Sequence, residues 1–140
     1  MRKIRYRVGN NGDFTAKSFV IDHPLDPENK LLRHATLESP NVLNVYVGVT
    51  DLDEDGEAVV KLPDYFDPLN INPKYQLTAV GQAMPNLHIK EKVHNNTFVI
   101  AGGAPYGEVS WEIKGERNDR AMQDHPFVVE EDKLIPGLMY

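Results

Sequence analysis

Apolar and polar residues alternate along most of this chain with a period of two, the repeat of an extended strand whose successive side chains point to opposite faces. In residues 2–8, Ile4, Tyr6 and Val8 point one way, while Lys3, Arg5 and Arg7 point the other. Residues 14–21 form a second candidate strand. Residues 42–50 put Leu43, Val45, Val47 and Val49 on one face, with Asn44, Tyr46 and Thr50 opposite. Ala58, Val60 and Leu62 mark the next strand, and Tyr75, Leu77 and Ala79 face a core against Gln76 and Thr78. Leu87, Ile89 and Val93 alternate with His88, Lys90 and Lys92. The cleanest alternation lies in residues 108–115, where Val109, Trp111 and Ile113 oppose Glu108, Ser110, Glu112 and Lys114.

Turn signals separate these runs. Asn10-Asn11-Gly12-Asp13 and His94-Asn95-Asn96-Thr97 carry residues that tolerate the positive φ of tight hairpins, and the second closes a hairpin onto Phe98 and Ile100. Asp51-Leu52-Asp53-Glu54-Asp55-Gly56 turns the chain, and Pro63, Pro68 and Pro73 punctuate a link with at most a short turn at Asp64–Leu69. From Asn118 the alternation fades, and Pro126 and Pro136 favour an extended segment. No helix is predicted. About six to eight short strands, with turns every 8–12 residues or so, predict an all-β antiparallel sandwich or small barrel. Residues 1–118 form that domain and residues 119–140 its extended C-terminal tail. One polar face per strand gives each sheet one wet side. No internal repeat at a period of about 20–50 residues points to a solenoid or propeller.

With 140 residues, 41% of them apolar, the chain can bury a core of its own. No apolar stretch reaches the roughly 18 residues of a membrane span. The start, Met1 to Val8, lacks the roughly 7–15-residue apolar core of a secretory signal. The expectation is a protein that leaves the cell without such a signal, or an excised fragment. Having no cysteine, the chain forms no disulfide and no thiolate site. Its net charge of −6 includes Arg2, Lys3, Arg5 and Arg7, so the remainder is more acidic still. Such a body repels phosphate backbones, and nucleic-acid binding is not expected.

Candidate chemistry is sparse. Asp51-x-Asp53-x-Asp55-Gly56 imitates the start of a calcium loop, but the twelfth position, where a bidentate carboxylate belongs, is Leu62, so the segment reads as a hairpin turn. The five histidines, His23, His34, His88, His94 and His125, lack metal-ligand spacing. His23, His34 and Glu38 would converge only through the turn between them, and His23 before Pro24 is the expected cap of that turn. Ser39 follows His34 by five positions, without the elbow of a hydrolase. Ser39-Pro40 ends a strand. Gly102-Gly103 lacks the following helix of a phosphate loop. Trp111 belongs to the apolar stripe. Tyr46 and Tyr106, if exposed, are the candidate glycan contacts. No catalytic, metal or cofactor-binding residue is assigned, and no cofactor is expected.

The segment Phe19 to Lys30, with Leu31 to Ser39 after it, is less generic. An apolar strand enters a proline-braced turn at residues 22–30 (Pro24, Asp26, Pro27, Asn29) and leaves into a stretch carrying His34 and Glu38. This segment resembles the region before a C-terminal autoprocessing chaperone in phage tail fibres and neck appendages. Residues 42–117 resemble a β-module of bacterial and phage fibre-like proteins, through Asp55-Gly-Glu-Ala58, Leu62-Pro-Asp-Tyr-Phe66, Tyr75-Gln-Leu-Thr78, Val80-Gly81, Val109-Ser-Trp111 and Gly115-x-Arg117.

The resemblance covers roughly residues 17–132. It implies a homotrimeric, non-enzymatic structural or adhesive element of an extracellular appendage or virion, with a cell-surface glycan or protein as receptor. Leu37-Glu38-Ser39-Pro40 departs from the pattern by running into β-structure, where the appendages continue into a helical, self-cleaving chaperone. The alternatives are a self-processing peptidase-type tail domain and a carbohydrate-binding sandwich.

Overall fold

A computed structural model describes residues 18–35, 37–130, 132 and 134–137. The candidate strand at 2–8, the turn at 10–13 and the basic cluster lie outside the described residues. The chain divides into two compact units, Met1–Thr36 and Leu37–Tyr140. The expected domain of residues 1–118 thus has a boundary inside it, at residues 36/37. Among the described residues all sheets are antiparallel and none closes into a barrel, so the fold class is all-β.

The first unit contributes a hairpin of β1 (Ser18–His23) and β2 (Asp26–Ala35). The sequence predicts a turn over residues 22–30. The turn proper is Pro24-Leu25, and Asp26 to Lys30 already belong to β2. Register jumps from Asp22↔Leu31 to His23↔Asp26, so Pro27 to Lys30 bulge out of the ladder. Proline explains this, since it cannot donate to a ladder. Asp26 braces the bulge by accepting from Asn29 Nδ2 at 2.7 Å, and His23 Nδ1 accepts the Leu25 N–H at 3.2 Å, which is the expected turn cap.

The second unit holds two three-stranded sheets. One orders β3 (Leu43–Asp51), β8 (Glu108–Arg117) and β5 (Asn70–Val80); the other orders β4 (Ala58–Lys61), β7 (Thr97–Ala101) and β6 (His88–His94). Only β6 and β7 are joined as a hairpin among these strands, through Asn95 and Asn96 at φ 50° and 57°. Every other connection crosses between sheets. That corrects the expected hairpin at Asp51–Gly56: β3 pairs with β8 and β4 with β7, so the segment is a corner between sheets.

The corner is held by its own polar groups. Asp53 Oδ1 accepts the Asp55 and Glu57 N–H groups at 2.9 Å each, and Gly56 N–H reaches the Asp53 carbonyl. Gly56 is required there. It has φ +71°, and a Cβ would lie 2.1 Å from the Gly103 carbonyl oxygen.

Between the sheets lies the core: Tyr46, Leu52, Val60, Leu62, Phe66, Met84, Phe98, Ile100, Val109 and Ile113. Tyr75, Leu77, Ala79, Ile89, Val93 and Trp111 pack against it, as their alternation predicts. Phe98 meets Trp111 and Tyr75 edge-on, with ring centroids 5.5 and 6.1 Å apart. Such geometry sets the positive ring edge against a negative face. A one-turn helix, α1 (Phe66–Leu69), falls within the short turn expected there. The tail is not wholly extended. Asp119 accepts the Met122 N–H and caps a second helix, α2 (Arg120–Asp124).

Strand β3 overturns an expectation. Its alternation is as read, but its faces are exchanged: Asn44 and Tyr46 are buried, while Val45, Val47 and Val49 are 38%, 68% and 62% exposed. The cross-strand partner decides the matter. Gly48 stands opposite Trp111, and a Cβ there would lie 2.4 Å from the indole ring. The large indole takes the inner space that glycine leaves free, which commits the even-numbered residues of β3 to the core.

Candidate functional site

Inversion of β3 shapes the outer face of its sheet. Val47, Gln76, Thr78, Ser110 and Glu112 line a shallow depression of about 360 Å³ there. Leu77 and Trp111 border it, but their side chains belong to the core side. Glu112 is in direct contact with Lys114, its neighbour along the same face. At the end of this face Lys74 Nζ reaches Glu116 at 2.7 Å and Asn72 reaches it at 3.1 Å. These two bonds, Lys74 first, hold the Glu116 carboxyl below its usual range. Lys90 contacts both Glu57 carboxylate oxygens at 2.6 and 2.8 Å, and that bond chiefly raises its ammonium above the usual value. Glu112, Glu116 and Glu57 are thus each paired with a lysine. Among the described residues, no three of His, Asp or Glu gather closely enough to hold a metal ion.

The expected glycan contacts separate. Tyr46 is 9% exposed, its ring edge-on to Phe66 at 4.9 Å, so it cannot serve as an open stacking platform. The cause is the same exchange of faces. Tyr106 is exposed, at φ 57° on the loop between β7 and β8, with its N–H bonded to the Asp53 carbonyl. The hairpin carries His23, Pro24, Asp26, Asn29 and His34, whereas Glu38 and Ser39 open the second unit. Ser39 Oγ accepts the Asn41 N–H at 3.2 Å, a local turn contact.

The remaining motif residues are built into the scaffold. Tyr75 OH accepts the Val93 N–H at 2.8 Å and so ties β5 to β6. Arg117 forms a two-pronged pair with Asp119 at 3.0 and 2.7 Å. Trp111 packs against the core, as its stripe predicts.

Sequence reading passes over a buried polar network at the base of β3. Asn44 Nδ2 donates to Asn70 Oδ1 at 2.8 Å; Asn70 Nδ2 donates to Tyr46 OH at 3.1 Å and to the Phe66 carbonyl at 2.9 Å. Burial pushes the Tyr46 phenol up to about 12, while its bond with Asn70 pulls the other way and is outweighed. The sign follows. The raised folded-state value means that stability is fully present below the unfolded phenol value near 10 and is lost as pH rises from there through about 12. Across that window the loss is about 1.4 kcal/mol per pH unit. In a tyrosinate absorbance titration one of the six tyrosines is expected to ionise last, and Tyr46→Phe to remove that late step. Uniform titration near the ordinary phenol value contradicts the burial account.

A scan against protein-family models, a search of curated proteins and a search of solved structures each return no match. No relative lends its function to this chain. The fibre-module resemblance rests on the residues quoted for it.

Proposed function

We propose that this chain is a non-enzymatic structural or adhesive module of a fibre-like appendage, working by attachment to further copies of itself or to a cell envelope. One observation carries the reading: large apolar side chains stand in solvent on the sheets and along the tail. Val47, Val49 and Val59 are exposed, as are Phe127, Val128, Val129, Leu134 and Ile135. On β3, Val45, Val47 and Val49 share one exposed face, and an apolar surface of this kind marks a face that another macromolecule covers. The polar groups reinforce it, because Asp53, Glu57, Asn70 and Arg117 are each engaged in bracing the scaffold.

In this reading the tail beyond α2 is an arm that covers a neighbouring subunit. Three copies about an axis, as the fibre resemblance implies, need such a contact between unlike surfaces. The test removes residues 126–140 and spares Asp119, whose pairing with Arg117 belongs to the scaffold. The expected result is fewer subunits per assembly by sedimentation, with the far-ultraviolet strand signal unchanged. An unchanged number of subunits overturns the arm, and a parent chain that is monomeric at every concentration and binds no cell envelope overturns the reading.

A further inference from the structure

Among the described residues the edge of β3 is unpaired, and it differs from every other edge in the two sheets. Strand β5 carries Pro73 and a register shift between Ile71 and Lys74. Strand β6 has two register shifts and displays Lys90 and Lys92, and β4 is only four residues long. Prolines, bulges, lysines and short length all discourage a second chain from adding to an edge. Strand β3 has none of these devices over nine residues, and its one charged residue is the terminal Asp51.

Backbone direction on β3 follows from two bonds that continue its ladder. Leu52 N–H donates to the Gly107 carbonyl at 2.8 Å, and Arg117 N–H donates to the Val42 carbonyl at 2.9 Å. Both pairs keep the β3–β8 register, so the even-numbered residues exchange hydrogen bonds with β8. The odd-numbered residues, Leu43, Val45, Val47, Val49 and Asp51, therefore turn their N–H and C=O groups away from β8. Among the described residues no strand pairs with that side. The outward valine side chains and the outward backbone groups thus belong to the same residues.

We propose that β3 pairs antiparallel with β3 of a second copy about a two-fold axis through Val47, joining two three-stranded sheets into one. In this register Val45 meets Val49 of the other copy, Val47 meets its own counterpart, and Leu43 meets Asp51. Each edge-facing N–H then finds a carbonyl, because odd residues lie opposite odd residues. Valines from both copies cover one another on the outer face. No charged side chain stands directly opposite another. The two copies of Glu112, next to Val47 on β8, are three strand spacings apart, about 14 Å, beyond the roughly 8 Å Debye length at physiological salt. A self-pairing strand of this kind is an isologous contact. It extends the self-association reading but uses none of the tail, so each can fail without the other.

The test uses the absence of cysteine from the chain. Paired residues that exchange hydrogen bonds lie about 5.5 Å apart at Cα, inside the range of roughly 4.4–6.8 Å that a disulfide spans. Val47→Cys in the full chain is expected to give a disulfide-linked dimer under mild oxidant, whereas Val59→Cys, exposed on the other sheet, stays monomeric on denaturing gels. A cross-link through the residue 59 thiol but not the residue 47 thiol overturns the proposal and leaves the association reading standing. A monomeric parent chain with no cross-link at either position overturns both. So does a monomer whose Val45, Val47 and Val49 amides resist hydrogen exchange, since the edge is then taken by the chain itself.

Discussion

Phe98→Ala is expected to lower the unfolding free energy by about 3–5 kcal/mol, the range for truncating a fully buried phenylalanine. Phe98 is 1% exposed on β7, the central strand of its sheet, and its ring is flanked by Trp111 and Tyr75. The alanine loses the transfer energy of the ring and leaves a cavity that two aromatic walls cannot close. Val59→Ala, one strand away on the outer face, removes atoms that solvent already touches. Its expected cost is within about 0.5 kcal/mol. Urea denaturation with an unchanged slope measures both. A loss at Phe98 as small as that at Val59 contradicts the placement of the core between these sheets.

Asn70→Leu is expected to cost about 3 kcal/mol, because it keeps the volume and deletes the hub of the buried network. The Asn44 amide loses its acceptor and the Tyr46 hydroxyl its donor, both in a place where water does not replace them. Adding Asn44→Val removes one orphaned group together with its partner. The double variant is therefore expected to recover part of the loss rather than add to it. Strict additivity in the double-mutant cycle contradicts a direct Asn44–Asn70 bond. Denaturation of the four proteins at one pH gives the answer.

Much of the fold was legible because the decisive strands have one unambiguous face. In β8, Val109, Trp111 and Ile113 alternate with charged or hydroxyl side chains, so hydropathy alone orients it. The Asn95-Asn96 hairpin was equally plain, since left-handed φ favours asparagine. Strand β3 was misread in orientation because its more hydrophobic face is not the buried one. Valines are the more hydrophobic set, but the size of Trp111 across the ladder and the missing side chain at Gly48 choose the other face. That choice depends on a partner far along the chain, which periodicity does not contain. The Asp51–Gly56 turn chemistry was visible, yet its destination was not, since an Asx turn serves a hairpin or a corner equally. Asn70 reads as a surface residue until Asn44, 26 positions earlier, supplies its acceptor group with a donor. Helix α2 had a local signal that the fading alternation hid, namely Asp119 as its cap.

For the candidate site the sequence yielded the residues but not their arrangement. Tyr46 was chosen as a polar-face aromatic and lies in the core, whereas the valines chosen for an apolar stripe are exposed on a strand edge that no described strand covers. One error therefore concealed the surface from which association is proposed.

Sedimentation equilibrium of the full chain against Val45→Lys/Val49→Lys tests this edge most directly. In the two-fold register each introduced ammonium faces another, on side chains that are exposed in the free chain and contribute little to its core. The account expects the parent to form dimers or larger even-numbered assemblies in the micromolar range, and the double-lysine protein to lose that step with its melting behaviour in dilute solution unchanged. Equal assembly masses for the two proteins would contradict it.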